Sequence, residues 1–414
     1  MSSKKFAVIG NPISHSKSPI LFKYLFDTFK INAYYTRISL NSIEQFNVIR
    51  KYISLDGMNV TSPFKNKISH YLKNYDDIIN TVVFKPYLNF YNTDINFLYD
   101  KIQSIPKNSK VLIIGNGSTS TLICKYLKKN NILYDIAGRN KNNLTDEYKF
   151  ININYIQDII DDYDVIFNTI IQSKNYINSK KKLENKIIID SIYKDNFLEQ
   201  ISNNSIYISG LDWLINQGIK SFEYFTEINE DKIKSKLNYL KINEYLKKNK
   251  NYSNIILIGY MQSGKTTLGK KLASELNMEF FDTDSYIEKI EDKSISKIFA
   301  QSGEQKFREL ESQTINYLKQ LKNTIISTGG GIIHTKNYKK LKDIGYIIWI
   351  LRDPADSYLE DINRPNLYNF KNYLELFIKR TNKYFELADL IVINDKLNNT
   401  KINLINEIKN LKNE

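Results

Sequence analysis

The chain has 414 residues, 42% of them hydrophobic, and a formal charge of +14 at pH 7; that length suits two or three domains, and that apolar content fills ordinary cores. The positive excess is lysine dispersed among Asn and Ile, with no run of like charges long enough for a nucleic-acid arm, which favours an enzyme of small molecules over a nucleic-acid binder. One cysteine, Cys124, excludes internal disulfides and cysteine zinc clusters, the three dispersed histidines propose no metal site, and neither a secretory h-region nor an 18-residue apolar stretch is present, so a cytoplasmic location off the membrane is expected.

Phe6-Ala7-Val8-Ile9-Gly10 reads as a short buried strand, followed by a hydroxyl-dense loop over 11–19 and a helix over 20–29. Ser16 and Ser18 at a strand's carboxyl end suit a polyol or carboxylate ligand, although Ser18-Pro19 equally makes a helix N-cap with proline in the first turn. A second edge, 57–65, ends in Asn59 and Thr61 before Pro63 opens a helix bearing Lys65. A lysine over a strand terminus holds a substrate oxygen or moves a proton; among 52 lysines, the plain alternative is a solvated side chain. Asn80-Thr81 and Asn92-Thr93-Asp94 add amides that hydrogen-bond ligand hydroxyls and a carboxylate, Asp94, able to stand opposite Lys65.

Residues 110–114 form another buried strand, followed by Gly115-Asn116-Gly117-Ser118-Thr119-Ser120 and a helix to about Lys129. This is half a dinucleotide fingerprint, with Ser120 where the third glycine belongs. The next strand ends in Gly138-Arg139-Asn140. An arginine there, where NAD-binding proteins carry an acid, suits a 2′-phosphate, so NADP(H) is the expected cofactor. Arginine is scarce, seven residues against 52 lysines, and such a chain keeps it where a rigid planar fork matters. Arg37, Arg50 and Arg352 are not singled out on that ground. Residues 164–169 and 187–190 read as further core strands; Tyr193 follows the second, and Gly210-Leu211-Asp212-Trp213-Leu214 opens a helix carrying Gln217. From Asp231 to about Lys250 the chain reads as charged helix, and the halves are divided at 246–252.

The second half opens on the apolar run 255–258, the loop Gly259-Tyr260-Met261-Gln262-Ser263-Gly264-Lys265-Thr266-Thr267, and a helix over 268–276. That is G-x-x-x-x-G-K-T between strand and helix, a phosphate cradle. Lys265 is expected at the β- and γ-phosphates and the Thr266 hydroxyl on Mg²⁺. Asp282-Thr283-Asp284 ends the next strand. Of the two carboxylates, one can orient Mg²⁺ through water and the other can accept a substrate hydroxyl; the plain alternative is an N-cap for the following helix, and Asp284 can serve both roles. Phe307-Arg308-Glu309-Leu310-Glu311 lies on a helix, and Gly329, Gly330 and Gly331 end a strand where a ligand lies against bare backbone. Arg364-Pro365 falls within 361–367, and Arg380 precedes Tyr384 in an Arg-x-x-x-Tyr pattern.

Residues 10–19, 59–65, Asn80-Thr81 and Asn92-Thr93-Asp94, in this order, resemble shikimate dehydrogenase. The resemblance implies an α/β substrate domain over 1–100, a Rossmann-like NADP domain over 101–210, and a helix over 211–245 packing back on the first. It implies reduction of 3-dehydroshikimate by NADPH, with Lys65 and Asp94 as the catalytic pair. Ser16, Ser18, Asn59, Thr61, Asn80, Asp94, Tyr193 and Gln217 are implied on shikimate, and Gly115, Gly117, Ser118, Thr119, Arg139 and Asn140 on NADP. The six motifs of the second half resemble shikimate kinase over 253–414, a P-loop parallel α/β domain. There the resemblance implies ATP at Gly259, Gln262, Ser263, Gly264, Lys265, Thr266, Thr267 and Arg364. Shikimate is implied at Asp284, Arg308, Gly329, Gly330, Gly331 and Arg380, with Lys265, Asp284 and Arg364 catalytic and Mg²⁺ near Thr266 and Asp282. The expectation is an α/β enzyme of two consecutive activities, a monomer or homodimer with small-molecule substrates. The runner-up is a kinase carrying an inactive or quinate-directed dehydrogenase-like module.

Overall fold

The computed structural model describes residues 3–72, 78–140, 148–170, 173–193, 197–248, 252–358 and 369–412. The fold is α/β throughout and divides into two compact units that cut across the sequence halves. One holds Met1–Pro19, Lys30–Phe64 and Asn249–Glu414; the other holds Ile20–Phe29 and Lys65–Lys248.

The first unit is built on one continuous parallel sheet. Its strands run in the order Glu279–Asp282, Thr324–Ser327, Ile255–Ile258, Tyr346–Leu351, Leu390–Ile393, Ala33–Ser39, Lys4–Gly10 and Gly57–Val60. Strands buried on both faces read as unbroken apolar runs; in Tyr346–Leu351 every residue is buried. The pairing that joins the two sequence halves is Leu390 opposite Arg37, Ile391 opposite Ile38 and Val392 opposite Ser39. Each strand would otherwise present an unpaired edge, a ready template for unwanted association. One core follows from the shared sheet: Val8 and Ile13 pack in the same cluster as Ile255, Leu268, Ile348, Leu390, Leu404 and Ile408.

The strand order reverses direction at two places in this sheet. Lys4–Gly10 lies between Ala33–Ser39 and Gly57–Val60, and Ile255–Ile258 lies between Thr324–Ser327 and Tyr346–Leu351. Crevices at such points, beyond the carboxyl ends of the strands, are where open α/β sheets bind ligands. The loop after the first strand is 11–17 and the loop after the second is 259–264; because the sheet is parallel, both open along the same edge.

The second unit has its own parallel sheet, ordered Ile206–Ile208, Ile187–Asp190, Val165–Asn168, Val111–Ile114, Tyr134–Gly138, Phe150–Asn152. Apolar clusters cover both faces, one around Ile113, Phe167 and Trp213, the other around Leu112, Ile166 and Ile188. Its reversal lies at Val111–Ile114, so the loop 115–117 stands at the switch point.

Two expectations about elements are corrected. Lys65 is not on a helix: the chain turns through 62–67 and the helix is Ile68–Tyr71. The Lys65 carbonyl instead accepts the Ile79 N–H, a bond a continuing helix would not leave open. The charged stretch after 230 is two helices, Glu230–Lys236 and Tyr239–Lys247, because the Asn238 side chain caps the second by accepting from Lys241 N–H.

Candidate active sites

In the first unit, the loop after Lys4–Gly10 brings Ser16 and Ser18 together, their hydroxyls 3.2 Å apart. Thr61 follows the neighbouring strand Gly57–Val60, and Asn59 within that strand accepts a 2.7 Å hydrogen bond from the Tyr35 hydroxyl. Desolvation holds the Tyr35 phenol well above its ordinary value, and a hydrogen bond with Ser18 partly offsets it. Tyr35 therefore stays protonated and links Ser18 to Asn59. Nothing in its sequence context marked it: it sits in an ordinary strand.

The second unit holds the charged pair. Lys65 Nζ lies 2.7 Å from Asp94 Oδ2, with side-chain exposures of 12% and 4%. The other carboxylate oxygen accepts the Trp213 indole N–H at 3.0 Å, and the Asp94 backbone N–H reaches Asn92 Oδ1 at 3.1 Å. A buried carboxylate is tolerated only when paired and hydrogen-bonded, which is its condition here. Trp213 was quoted in the helix-opening motif yet not credited with this bond. Asn80 Oδ1 accepts from Thr93 N–H at 2.8 Å and from Thr81 Oγ1 at 3.0 Å, which aims its amide at Gln217 Oε1, 3.4 Å away. Tyr193 ends the described part of its loop, and Gly210 lets the helix Gly210–Thr226 start against it, since any Cβ there would meet the Ile192 carbonyl.

At the switch point of the second sheet, Gly115 has φ +110° and a Cβ there would collide with Thr169. Gly117 faces open space and caps the helix Ser118–Lys129. Ser120, in place of a third glycine, is buried and shares a 2.8 Å hydrogen bond with Thr169 Oγ1. The substitution is thus absorbed by a neighbouring hydroxyl, and the loop keeps its turn. Arg139 and Asn140 are exposed at the end of the adjacent strand, and Asn116 Nδ2 donates to the Asn140 carbonyl at 2.7 Å, tying the two loops. Exposed helix N–H groups, an open glycine and a nearby guanidinium suit a phosphorylated dinucleotide.

The loop over 259–267 has the backbone turns that a phosphate cradle requires. Gly264 has φ +88° and Gly259 φ +154°, and Gln262 also lies in the left-handed region. Lys265 begins the helix Lys265–Leu276, is 8% exposed, and donates to the Tyr260 carbonyl at 2.8 Å and to Ser263 Oγ at 3.3 Å. Thr266 Oγ1 lies 2.8 Å from Asp282 Oδ2 and 3.2 Å from Ser327 Oγ; Thr267 is exposed on the same turn. The capping expectation is refined: Asp282, not Asp284, caps the helix Thr283–Glu291, through Oδ1 to the N–H groups of Asp284 and Ser285. That leaves the second Asp282 oxygen facing Thr266. Among the described residues no cluster of three or more His, Cys, Asp or Glu could hold a metal.

Asp284, Arg308 and Arg380 crowd around the three glycines Gly329, Gly330 and Gly331. A Cβ on Gly329 would strike the Asp284 carboxylate, and one on Gly331 would strike the Arg308 guanidinium. Arg380 is 8% exposed and donates to the Gly330 carbonyl at 3.1 Å; its Nε is buried with no hydrogen-bond partner among the described residues. Tyr384 donates to the same carbonyl at 2.5 Å. Arg308 reaches Glu311 Oε2 at 2.6 Å and Glu304 Oε1 at 2.9 Å. Burial, outweighing the pull of Arg308, pushes the Glu311 carboxyl up to about 7. Glu311 stands three residues from Arg308 on one helix face, a spacing that could have marked it. Arg364 lies outside the described residues.

A parallel sheet with a P-loop at its switch point, together with a second parallel sheet with a glycine turn at its own, defines a nucleotide-dependent α/β enzyme. Family models agree and sharpen the class: "Shikimate kinase" matches residues 261–410, "Shikimate dehydrogenase substrate binding domain" 8–82, and "Shikimate / quinate 5-dehydrogenase" 98–202. A shikimate kinase of Bacillus mycoides (strain KBAB4) is 40% identical over 167 residues, 39% of this chain and 98% of that protein. One from Clostridium botulinum (strain Loch Maree / Type A3) is 41% identical over 167 residues, 38% of this chain and 98% of its own. Among solved structures, a shikimate dehydrogenase from Aquifex aeolicus matches with 25% identity and a TM-score of 0.49, covering 59% of this chain and 98% of that one. The chain belongs to the shikimate kinase family in its second half, and its first half matches the two shikimate dehydrogenase domain models.

Proposed function

We propose that this chain is a bifunctional cytoplasmic enzyme, a monomer or homodimer. It reduces 3-dehydroshikimate to shikimate with NADPH and then phosphorylates shikimate to shikimate 3-phosphate with ATP and Mg²⁺. The observation that carries the reading is that each half has an intact reactive constellation of its own: the buried Lys65–Asp94 pair at 2.7 Å, and the cradle of Lys265 beside Asp284, Arg308 and Arg380. Among the described residues no helix is long and apolar enough to cross a membrane.

In the reductase, NADPH supplies the hydride when bound. Lys65 serves the proton at the substrate oxygen, and Asp94 holds the ammonium in place while accepting a substrate hydroxyl. Ser16, Ser18, Asn59, Thr61, Asn80, Tyr193 and Gln217 keep the substrate roles that the resemblance implies. Gly115, Gly117, Ser118, Thr119, Arg139 and Asn140 keep the cofactor roles, Arg139 reading the 2′-phosphate. The hydroxyl-for-glycine exchange at Ser120, satisfied by Thr169, favours a working dehydrogenase over an inert module.

In the kinase, ATP supplies the phosphoryl group when bound, with Mg²⁺ near Thr266 and Asp282. Lys265 and the N–H groups of residues 259–267 hold phosphate oxygens, and Arg364 keeps the phosphate role that the resemblance implies. Arg308 and Arg380 grip the acceptor carboxylate, and Asp284 orients its hydroxyl against Gly329–Gly331. The arrangement is positional and electrostatic, as phosphoryl transfer demands.

The test is one coupled reaction. Purified protein receives 3-dehydroshikimate, NADPH, ATP and Mg²⁺, and shikimate 3-phosphate is measured; its formation supports both activities. Shikimate accumulation without the phosphate removes the kinase reading, and phosphorylation only of added shikimate removes the dehydrogenase one.

A pH dependence follows from Glu311. Its folded carboxyl lies above the ordinary range, so its contribution to stability is full at low pH and is lost as the pH rises through about 7. The same ionisation adds a negative charge beside two arginines that hold an anionic acceptor. The KM for shikimate in the kinase reaction is therefore expected to rise about tenfold across pH 6 to 8. Glu311→Gln flattens the profile, because the amide keeps an acceptor for Arg308 and carries no charge. A wild-type profile without this step, or one that persists in the variant, removes Glu311 from that role.

A further inference from the structure

The loop that bears Ser16 and Ser18 is held from outside its own half. The Ile13 N–H is shared by both carboxylate oxygens of Glu407 at 3.0 Å each, and the Ser14 N–H reaches Glu407 Oε2 at 2.8 Å. The Ser14 hydroxyl donates to the Glu407 carbonyl at 2.8 Å. Asn410 Nδ2 lies 3.2 Å from Ser14 Oγ and 2.8 Å from His15 Nδ1. On the far side, Arg37 grips the Ser16 carbonyl with Nε at 3.0 Å and Nη2 at 2.6 Å, and its Nη1 reaches the Asp389 carbonyl at 3.3 Å. Glu407 and Asn410 belong to the kinase's last helix, Leu397–Lys412, and Asp389 immediately precedes its last strand, Leu390–Ile393.

The chemistry of this contact is specific. Ile13, Ser14 and Glu407 are at most 1% exposed. Successive backbone N–H groups converging on one anion form a nest, and charge-assisted bonds of this kind are about twice as strong as neutral ones. A desolvated carboxylate so placed admits few other positions for the loop. The sheet pairing of Leu390–Ile393 with Ala33–Ser39 holds Arg37 in register with Leu390, so both grips on the loop come from one rigid junction.

We propose that Glu407, seconded by Asn410, is a positioning residue for the dehydrogenase: the kinase's terminal helix fixes the 13–18 loop so that the Ser16 and Ser18 hydroxyls are preset for a hydroxylated carboxylate substrate. This rests on the dehydrogenase reading of the first half. It makes the kinase half a structural part of the other enzyme's substrate site, a dependence that a single-activity dehydrogenase has to meet by other means.

The experiment uses the full chain with Glu407→Gln. The amide removes the charge and, even with its oxygen in the place of Oε2, sets an NH₂ donor against the Ile13 N–H in the place of Oε1, so the nest is weakened. Displacement of the two hydroxyls is expected to raise the dehydrogenase KM for shikimate about tenfold, with kcat changed less than about threefold and the KM for NADP⁺ unchanged. Amide hydrogen exchange across residues 11–18 is expected to quicken, while kinase kcat and KM stay within about twofold. A merely structural role would lower the active fraction, reducing kcat of both activities together with every KM unchanged, and that result overturns the proposal. An unchanged shikimate KM in a variant with wild-type reduction overturns it as well. If Glu407→Gln does not fold, Asn410→Ala removes only the bonds to Ser14 and His15 and is expected to raise the same KM about threefold; no change there overturns the proposal. A wild-type chain that reduces no 3-dehydroshikimate sinks the dehydrogenase reading itself, and this inference with it.

Discussion

Lys265→Ala is expected to lower shikimate phosphorylation by about 10³-fold and to leave NADPH-dependent reduction within about twofold of the wild type. The size follows from the setting of the ammonium group. Lys265 is 8% exposed and preset between the Tyr260 carbonyl and Ser263 Oγ, so its charge is largely desolvated and pays little reorganisation when the phosphoryl charge shifts. The fold should survive, because alanine suits the first turn of the helix Lys265–Leu276 and the loop's left-handed positions at Gly259 and Gly264 are untouched. Separate assays of the two activities on one preparation measure it. Parallel loss of both activities would sink the two-site reading.

The mirror experiment is Lys65→Ala. Reduction is expected to fall by about 10² to 10⁴-fold, the usual contribution of a positioned proton-transfer group, with phosphorylation retained. A stability effect accompanies it. Removing one partner of a buried ion pair leaves the other charge uncompensated, typically at about 3–5 kcal/mol; the Asp94 carboxylate, 4% exposed, keeps the Trp213 indole N–H as its hydrogen-bond donor. Lys65→Met, which fills the same space without the charge, serves as the packing control, and thermal unfolding followed beside both activities separates lost chemistry from lost fold. Equal loss of kinase and reductase in a folded variant would contradict independent sites.

Much of this enzyme was legible residue by residue. The P-loop could be read because phosphate binding requires glycine at fixed places, and the structure puts Gly259 and Gly264 at the φ values only glycine accepts readily. The three glycines at 329–331 could be read as bare backbone; their reason, the space taken by Asp284 and Arg308, could not. Arginine scarcity pointed to Arg308 and Arg380, yet the same scarcity failed for Arg37, passed over because a strand position gives no hint of what its far end reaches. Glu311 was visible in spacing and unvalued, since its shifted carboxyl depends on burial that a helix face alone does not fix. Trp213 and Tyr35 gave no signal, because their partners, Asp94 and Asn59, lie 119 and 24 residues away.

Sequence by itself therefore determined the local pattern: which glycine loops follow which strands, which carboxylates and lysines stand near strand ends, and which family each half resembles. Local backbone rules and short motifs act within a few residues, so they survive in the letters. The tertiary structure alone decided that the halves share a sheet, through Leu390–Ile393 against Ala33–Ser39, and that Glu407 closes on the amides of Ile13 and Ser14. Edge pairing asks only for an extended apolar strand, and a nest asks only for backbone N–H groups; neither leaves a distinguishing residue type behind. Their partners, some 350 to 394 positions apart in the chain, are chosen by packing of the whole.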